Sequence, residues 1–367
     1  MTGSSPNHFL KRLGIAYPLI QAPMLGTRAS LAASVCEAGG LGSLACAAST
    51  ADQVREQVGA LREQTRLPFA LNFFCHAEPA PDFERDAAWC ARLRPYYREL
   101  GVDPLTPVAM NRRAPFNEAM CALIEEIRPP VVSFHFGLPE EKLLARVRAA
   151  GCVVFSSATT VLEARWLETR GVDAVIAQGA EAGGHRGMFL TDAVASQIGT
   201  FALLPQVADA VRVPVIAAGG IGDARGVAAA LMLGASAVQV GTAYLKCAEA
   251  GISAVHLAAL GRAQADDTAL TNVLTGRFAR GILNRVVREL GPICADAPAF
   301  PDAAKLLQPL RLVAETTGSG DFSPLWSGQA SALSQETSAP ALTRTLGEAA
   351  LRFRDVARQV TASNAPA

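Results

Sequence analysis

The chain has 367 residues, half of them hydrophobic, and 33 basic side chains balance 33 acidic ones to leave no formal net charge. That is material for one large domain or two ordinary ones, and the balance argues against a general binder of nucleic acid or anionic membrane. Eight cysteines form no CxxC pair and have no histidine at zinc-finger spacing, so reduced, mostly buried thiols are expected instead of a disulfide or metal framework.

The opening MTGSSPNHFLKRLGIAYPLIQAP has no apolar core after its basic pair, because Pro18 and Pro23 interrupt the candidate. It predicts no secretory leader. No stretch of about 18 apolar residues escapes charge or a glycine cluster, so no membrane span is expected, and the chain reads as soluble and cytoplasmic.

Apolar runs then recur along the chain: YPLIQAPM (17–24), LGSLACA (41–47), PFALNFFC (68–75), VVSFHFG (131–137), CVVFSSA (152–158), AVIAQG (174–179), PVIAAGG (214–220) and AVQVGTAYL (237–245). They are apolar almost throughout, as parallel strands buried on both faces should be. Helical patterns lie between them, for example TADQVREQVGALREQT and DARGVAAALMLG, and several end in glycine, which tolerates the left-handed cap. Eight such units predict a (β/α)8 TIM barrel; a doubly wound open sheet usually needs fewer strands.

Two intervals are too long for a single helix. The one after the third strand contains HAEPAPDF and RRAPFNE, and the one after the eighth reaches Trp326. A barrel typically uses about 250 residues, so these intervals hold most of the surplus. The expected division is 1–75, 115–250 and 320–367 as barrel. Residues 76–114 and 251–319 would be insertions forming a smaller, mainly helical cap and substrate region over the C-terminal face. The final ALTRTLGEAALRFRDVARQVTA reads as a closing helix.

Function in a barrel sits where strands end at that face. The strand ends offer Gln21 and Met24, Asn72, His135, Ser156 and Ser157, Gln178, Gly219 and Gly220, then Gln239, Gly241 and Thr242. Amides dominate and acids are nearly absent, so no metal site is expected. Amides can answer both donors and acceptors on the edge of a planar heterocycle, or they can satisfy buried backbone. AAGGIGDARG and QVGT supply glycine turns after strands seven and eight, the usual barrel site for a phosphate. GGIGDARG alone is weak evidence for a dinucleotide fold, and its place in the seventh unit counts against that reading.

QAPM (21–24), NFFCH (72–76), QGAEAGGHRG (178–187), PVIAAGGIGD (214–223) and QVGT (239–242) together resemble the nitronate monooxygenase family, formerly the 2-nitropropane dioxygenases. TGRFARGILN (275–284) and LWSGQA (325–330) resemble its bacterial and fungal class. The resemblance implies non-covalent FMN, oxidation of alkyl nitronates by O2 through a flavin semiquinone, and release of nitrite with an aldehyde or ketone. Propionate 3-nitronate would be the substrate and detoxification the role. It places Ala22, Pro23 and Met24 against the isoalloxazine, Asn72 and Gln178 on its polar edge, and Gly183 and Gly184 where room for it is needed. Gly219, Gly220, Gln239, Val240, Gly241 and Thr242 would hold ribityl and phosphate.

His185 matches the family's active-site histidine. Imidazole titrates near neutrality, so His185 is expected to orient the nitronate and to act as base when a neutral nitroalkane binds. A helix-terminus histidine with a satisfied hydrogen bond is the plainer alternative. His135, Ser327 and Gln329 are weaker candidates for substrate contact, with core satisfaction favoured for His135. His76 would line the mouth, while His8 and His256 read as surface or linker residues. Glu181 and Arg186 read as turn contacts or a solvated pair, Trp326 as packing for the closing segment, with a reach of WSGQ into the site as the alternative, and Lys246 as touching phosphate or solvent. The partners expected are a small nitronate and O2, with no nucleic acid and no membrane; monomer and homodimer both stay open. An NAD(P)H-dependent flavin reductase of the enoyl-acyl-carrier-protein or quinone type, or a non-catalytic flavin binder, would share much of the glycine pattern.

Overall fold

The computed structural model describes residues 6–104 and 113–363. Residues 105–112 of the first expected insertion lie outside the described residues, as do the first five and last four of the chain.

Eight of the described strands run parallel in one sheet: β1 (Leu19–Gln21), β2 (Gly42–Ala45), β3 (Phe69–Phe74), β4 (Val131–His135), β5 (Val153–Ala158), β6 (Ala174–Gln178), β8 (Val215–Ala218) and β9 (Ala237–Val240). Between β6 and β8 comes β7, the short strand Gly184–His185. The sheet order is β1-β9-β8-β6-β5-β4-β3-β2. Bonds of 2.9 Å from Leu41 N to Leu19 O and from Gln21 N to Leu41 O join its two edges and close the barrel. Edge strands with unpaired ladders are thereby removed. The predicted units appear in order, with helices ending on left-handed glycines such as Gly151 (φ 88°) and Gly234 (φ 99°).

Side-chain parity divides each strand between two cores. Outward residues such as Leu71, Val132, Phe134, Val175 and Val238 join the shell beneath the helices. Inward residues Ala70, Val131, Phe155, Ile176, Ile216 and Ala237 fill the base of the barrel. The helix Pro6–Leu13 plugs that base, with Phe9 5.9 Å from Phe155 between ring centroids. Polar inward residues are therefore confined to the opposite, C-terminal end.

The two long segments meet beside that end. The helix Phe83–Leu100 packs on the helix Ala303–Thr316 around Trp89, Leu93, Tyr97, Leu307 and Leu310, and Trp89 Nε1 donates to Ala303 O at 3.1 Å. Helices account for only part of this region. β10 (Thr268–Thr271) and β11 (Ala279–Ile282) form an antiparallel pair, and β11 continues onto β7. The expectation of a mainly helical cap omits this small sheet, because TALT and ARGI carry too little apolar alternation to announce strands. The eighth apolar run also needs correction: β9 stops at Val240, and Thr242–Leu245 is one turn of helix. No described helix is long and apolar enough to cross a membrane.

Candidate active site

A cavity of ≈ 1270 Å³, including its open mouth, lies at the C-terminal end of the barrel. Parity explains its lining. Asn72, Ser133, His135, Ser157, Gln178 and Gln239 all occupy inward positions and all border it, each on the same face of its strand as the residues that fill the barrel's base. Ala22, Pro23, Met24, Gly183, Gly184, His185, Gly219, Gly220, Gly241 and Thr242 border it as well.

Three of the residues expected to touch cofactor or substrate, Val240, Ser327 and Gln329, do not border it. Val240 has outward parity and is buried in the shell core. Ser327 turns its hydroxyl to Gly328 O at 3.1 Å, and Gln329 is tied in through its backbone N–H, which donates to Glu181 O at 3.0 Å. From that segment it is Trp326, Gly328 and Ala330 that line the cavity. Gln21, on the outward face, uses its side-chain oxygen to accept from Ser43 N at 2.8 Å.

The glycine turn around His185 is held from three sides. Gln178 Nε2 and His135 Nε2 both lie 3.0 Å from His185 O, and Gln178 Oε1 accepts from Gly187 N at 2.7 Å. A carbonyl can only accept, so His135 carries its proton on Nε2 and takes the Ser157 hydroxyl proton on Nδ1, 3.0 Å away. Burial first of all pushes the His135 pKa down to about 4, which keeps the ring neutral. Arg186 is fully buried and donates to Gln178 O (2.7 Å), Gly179 O (2.8 Å) and Gln197 Oε1 (2.6 Å). It is a structural clamp and makes no solvated pair with Glu181. Glu181 instead accepts from Thr200 N and Oγ1, both at 2.8 Å, at the start of the helix Thr200–Ala210, a favourable place for a carboxylate.

His185 itself is 7% exposed and borders the cavity. Its Nε2 is 3.0 Å from Thr275 Oγ1, and its ring centroid lies 5.2 Å from Phe300 and 5.4 Å from Trp326. Burial holds its pKa well below the ordinary value, and the nearby Arg113, His135, Arg277 and His76 add to that. Arg277 stands over the Phe136 ring at 4.0 Å. Arg113 Nη1 and Arg277 Nε are buried without a hydrogen-bond partner among the described residues. The surroundings of His185 are thus electropositive. The one acid among the described lining residues, Glu181, is tied to Thr200.

Also bordering the cavity, Gly219 (φ 110°) and Gly220 (φ 71°) turn the chain after β8. The N–H groups of Gly220, Ile221, Gly241 and Thr242 have no hydrogen-bond acceptor among the described residues, yet all four residues border the cavity. Such unpaired donors suit an anion. Lys246 is not among them, since its Nζ donates to Ser331 O and Ser334 O at 2.8 and 3.1 Å.

Several site residues escape the sequence reading. His256 lines the cavity and donates to Trp326 O at 2.9 Å; nothing in its helical context separates it from a surface histidine. Thr275 and Arg277 lie in the TGRFARG stretch, whose resemblance assigns no role to individual residues. Among the described residues no cluster of three or more His, Cys, Asp or Glu could hold a metal ion.

Comparison with known proteins adds a family. A family model described as nitronate monooxygenase matches residues 7–348. A nitronate monooxygenase of Pseudomonas aeruginosa is 43% identical over 350 residues, which span 93% of this chain and 98% of that protein. Among solved structures, the nitroalkane oxidase from Streptomyces ansochromogenes superposes with a TM-score of 0.84 at 38% identity, covering 96% of this chain and 99% of the other. FabK from Thermotoga maritima reaches 0.71 at 27% identity, covering 96% and 97%.

Proposed function

The chain belongs to the nitronate monooxygenase family, and from that premise we propose that it oxidises alkyl nitronates with O2 on non-covalently bound FMN. The products are nitrite and an aldehyde or ketone, propionate 3-nitronate is the first substrate to test, and detoxification is the role. One observation supports this reading most: a neutral imidazole borders the cavity beside two arginines, while the one lining acid is turned away onto Thr200. A nitronate is an anion, and such a surround attracts it.

The residues present fit a flavin mononucleotide. The free N–H groups of Gly220, Ile221, Gly241 and Thr242 would take the phosphate. Asn72 gives both amide protons to Ser133, at 3.2 Å to its carbonyl and 2.9 Å to its hydroxyl, which leaves Oδ1 as an acceptor for the ring's polar edge. Ala22–Met24 would lie along the ring. When bound, the flavin supplies the redox step, taking electrons from the substrate and passing them to O2. The chain's part is to position the substrate and exclude water, and the segments 76–114 and 251–319 would form the lid and substrate region.

His185 is the catalytic side chain in this reading. It has two tasks that need opposite protonation: donating to a nitronate oxygen, or accepting the α-proton of a neutral nitroalkane. A His185→Asn variant with full turnover on both substrates would remove it from the mechanism.

The decisive experiment is anaerobic mixing of the flavin-loaded protein with propionate 3-nitronate. A rapid change in flavin absorbance, reversed by O2 with nitrite release, is the expected result. An unchanged spectrum together with bleaching by NADH or NADPH would overturn the proposal in favour of a reductase on the same barrel.

A further inference from the structure

The Thr275 hydroxyl sits between two groups that compete for its single proton. It lies 3.0 Å from His185 Nε2 and 3.3 Å from the main-chain carbonyl of Arg277, and Thr275 is 2% exposed. If the proton goes to the carbonyl, the hydroxyl oxygen accepts from His185 Nε2–H and Nδ1 carries the lone pair. If it goes to Nε2, the Arg277 carbonyl loses this donor and Nδ1 carries the ring proton. Thr275 Oγ1 is the one donor to the Arg277 carbonyl among the described residues. The chain Nε2–H to Oγ1–H to carbonyl satisfies all three groups, whereas the other arrangement leaves the carbonyl without a donor; the first arrangement therefore prevails.

We propose that Thr275 is a positioning residue that fixes His185 in its Nε2–H tautomer, so that Nδ1 meets the substrate as an acceptor and the site is built to deprotonate neutral nitroalkanes. This rests on the reading of the cavity as a nitronate site. The charged and titratable groups facing His185 agree with it. His135 from β4, His76 after β3, Arg113 before the helix Glu118–Ile127 and Arg277 before β11 all oppose a proton on the ring, which leaves the Nδ1 lone pair free at neutral pH. In the step, the α C–H bond of the nitroalkane breaks and Nδ1–H forms. The electron pair moves onto the nitro group, giving a bound nitronate, the species that the proposed oxidation consumes. Arg113 and Arg277 then stabilise the anion while the imidazole holds the proton.

The test combines a spectroscopic and a kinetic reading of the flavin-loaded protein. Proton–nitrogen correlation spectra of 15N-histidine-labelled wild type, with His185 assigned from the His185→Asn variant, should show an Nε2–H tautomer. In Thr275→Val the ratio of kcat/KM for a neutral nitroalkane to that for its nitronate should fall about tenfold, a fraction of what general-base catalysis is worth. Thr275→Ser should restore both the ratio and the tautomer. An Nδ1–H tautomer in wild type would overturn the proposal, and so would an unchanged substrate ratio in Thr275→Val. If the wild type oxidises neither substrate, the functional reading fails, and the spectrum alone still decides the tautomer.

Discussion

Gly183 and Gly328 lie face to face where the chain of the closing segment crosses the turn that carries His185. A β-carbon on Gly183 would sit 2.6 Å from Gly328 N, and one on Gly328 would sit 2.8 Å from Glu181 O. The resemblance assigns the missing side chain at Gly183 to making room for a flavin ring, but the tightest neighbour is protein backbone. Gly328 N also donates to Thr242 Oγ1 at 2.9 Å, which ties this crossing to the turn after β9. Gly328→Ala is therefore expected to lift the Trp326–Ala330 segment off the cavity. The overpacking should cost about 1–3 kcal/mol and lower Tm, and FMN release on dilution should quicken. A thermal melt alongside flavin fluorescence checks both effects, and an unchanged flavin off-rate would show that the crossing does not close the site.

Arg113 and Arg277 supply the positive field at His185, and each has a buried guanidinium nitrogen with no partner among the described residues. Removing one charge by Arg113→Gln should raise KM for propionate 3-nitronate about tenfold while kcat changes less, because the field acts on the bound anion in substrate and product alike. The same variant should move the acidic limb of the kcat/KM profile for neutral nitroalkane upward in pH, since Arg113 is the largest charge opposing a proton on His185. Steady-state kinetics across pH measures both shifts, and an unaltered KM would separate these arginines from substrate binding.

Much of this arrangement is legible in the sequence because a buried parallel strand must be apolar on both faces. The eight runs stand out for that reason, and the polar residues Asn72, His135, Ser157, Gln178 and Gln239, near the ends of five of them, border the cavity. Parity is where the strand ends mislead: Val240 and Gln239 are neighbours, yet only Gln239 points inward. The β7–β11 pairing is invisible for a different cause. Ala279 pairs with His185 across a long sequence separation, and a two-residue strand of Gly184 and His185 has no periodicity to read. Buried histidines such as His256 likewise depend on tertiary contacts that no local pattern encodes.

The buried histidines also set a pH dependence of stability. His135 and His76 both have pKa values lowered from 6.5 to about 4, mainly by burial. The folded state therefore binds fewer protons than the unfolded chain between these values, and stability rises with pH across that window. Acidification from 6.5 towards 4 should progressively destabilise the fold, with little further loss from these two groups below 4. Melting curves at closely spaced pH values would show the slope, and His76→Phe should flatten it. A Tm that is flat from about pH 7 to pH 4 would mean that the rings take up protons in the folded state as easily as in the unfolded one.

The anion end of the cavity makes the sharpest distinction between cofactors. Gly220 adopts φ 71°, and a β-carbon there would touch Glu181 only at ordinary contact distance, 3.6 Å. The cost of Gly220→Ala is thus mainly backbone strain, about 1–2 kcal/mol for a left-handed residue with a side chain. That strain should rotate the Gly220 and Ile221 N–H groups, which have no acceptor among the described residues, away from a bound phosphate. FMN affinity should consequently fall about tenfold, whereas riboflavin, which lacks the phosphate, should bind almost as before. Titration of the apoprotein with both flavins gives the ratio directly. Equal losses for the two would place the phosphate elsewhere, and the free N–H groups would then serve the substrate end instead.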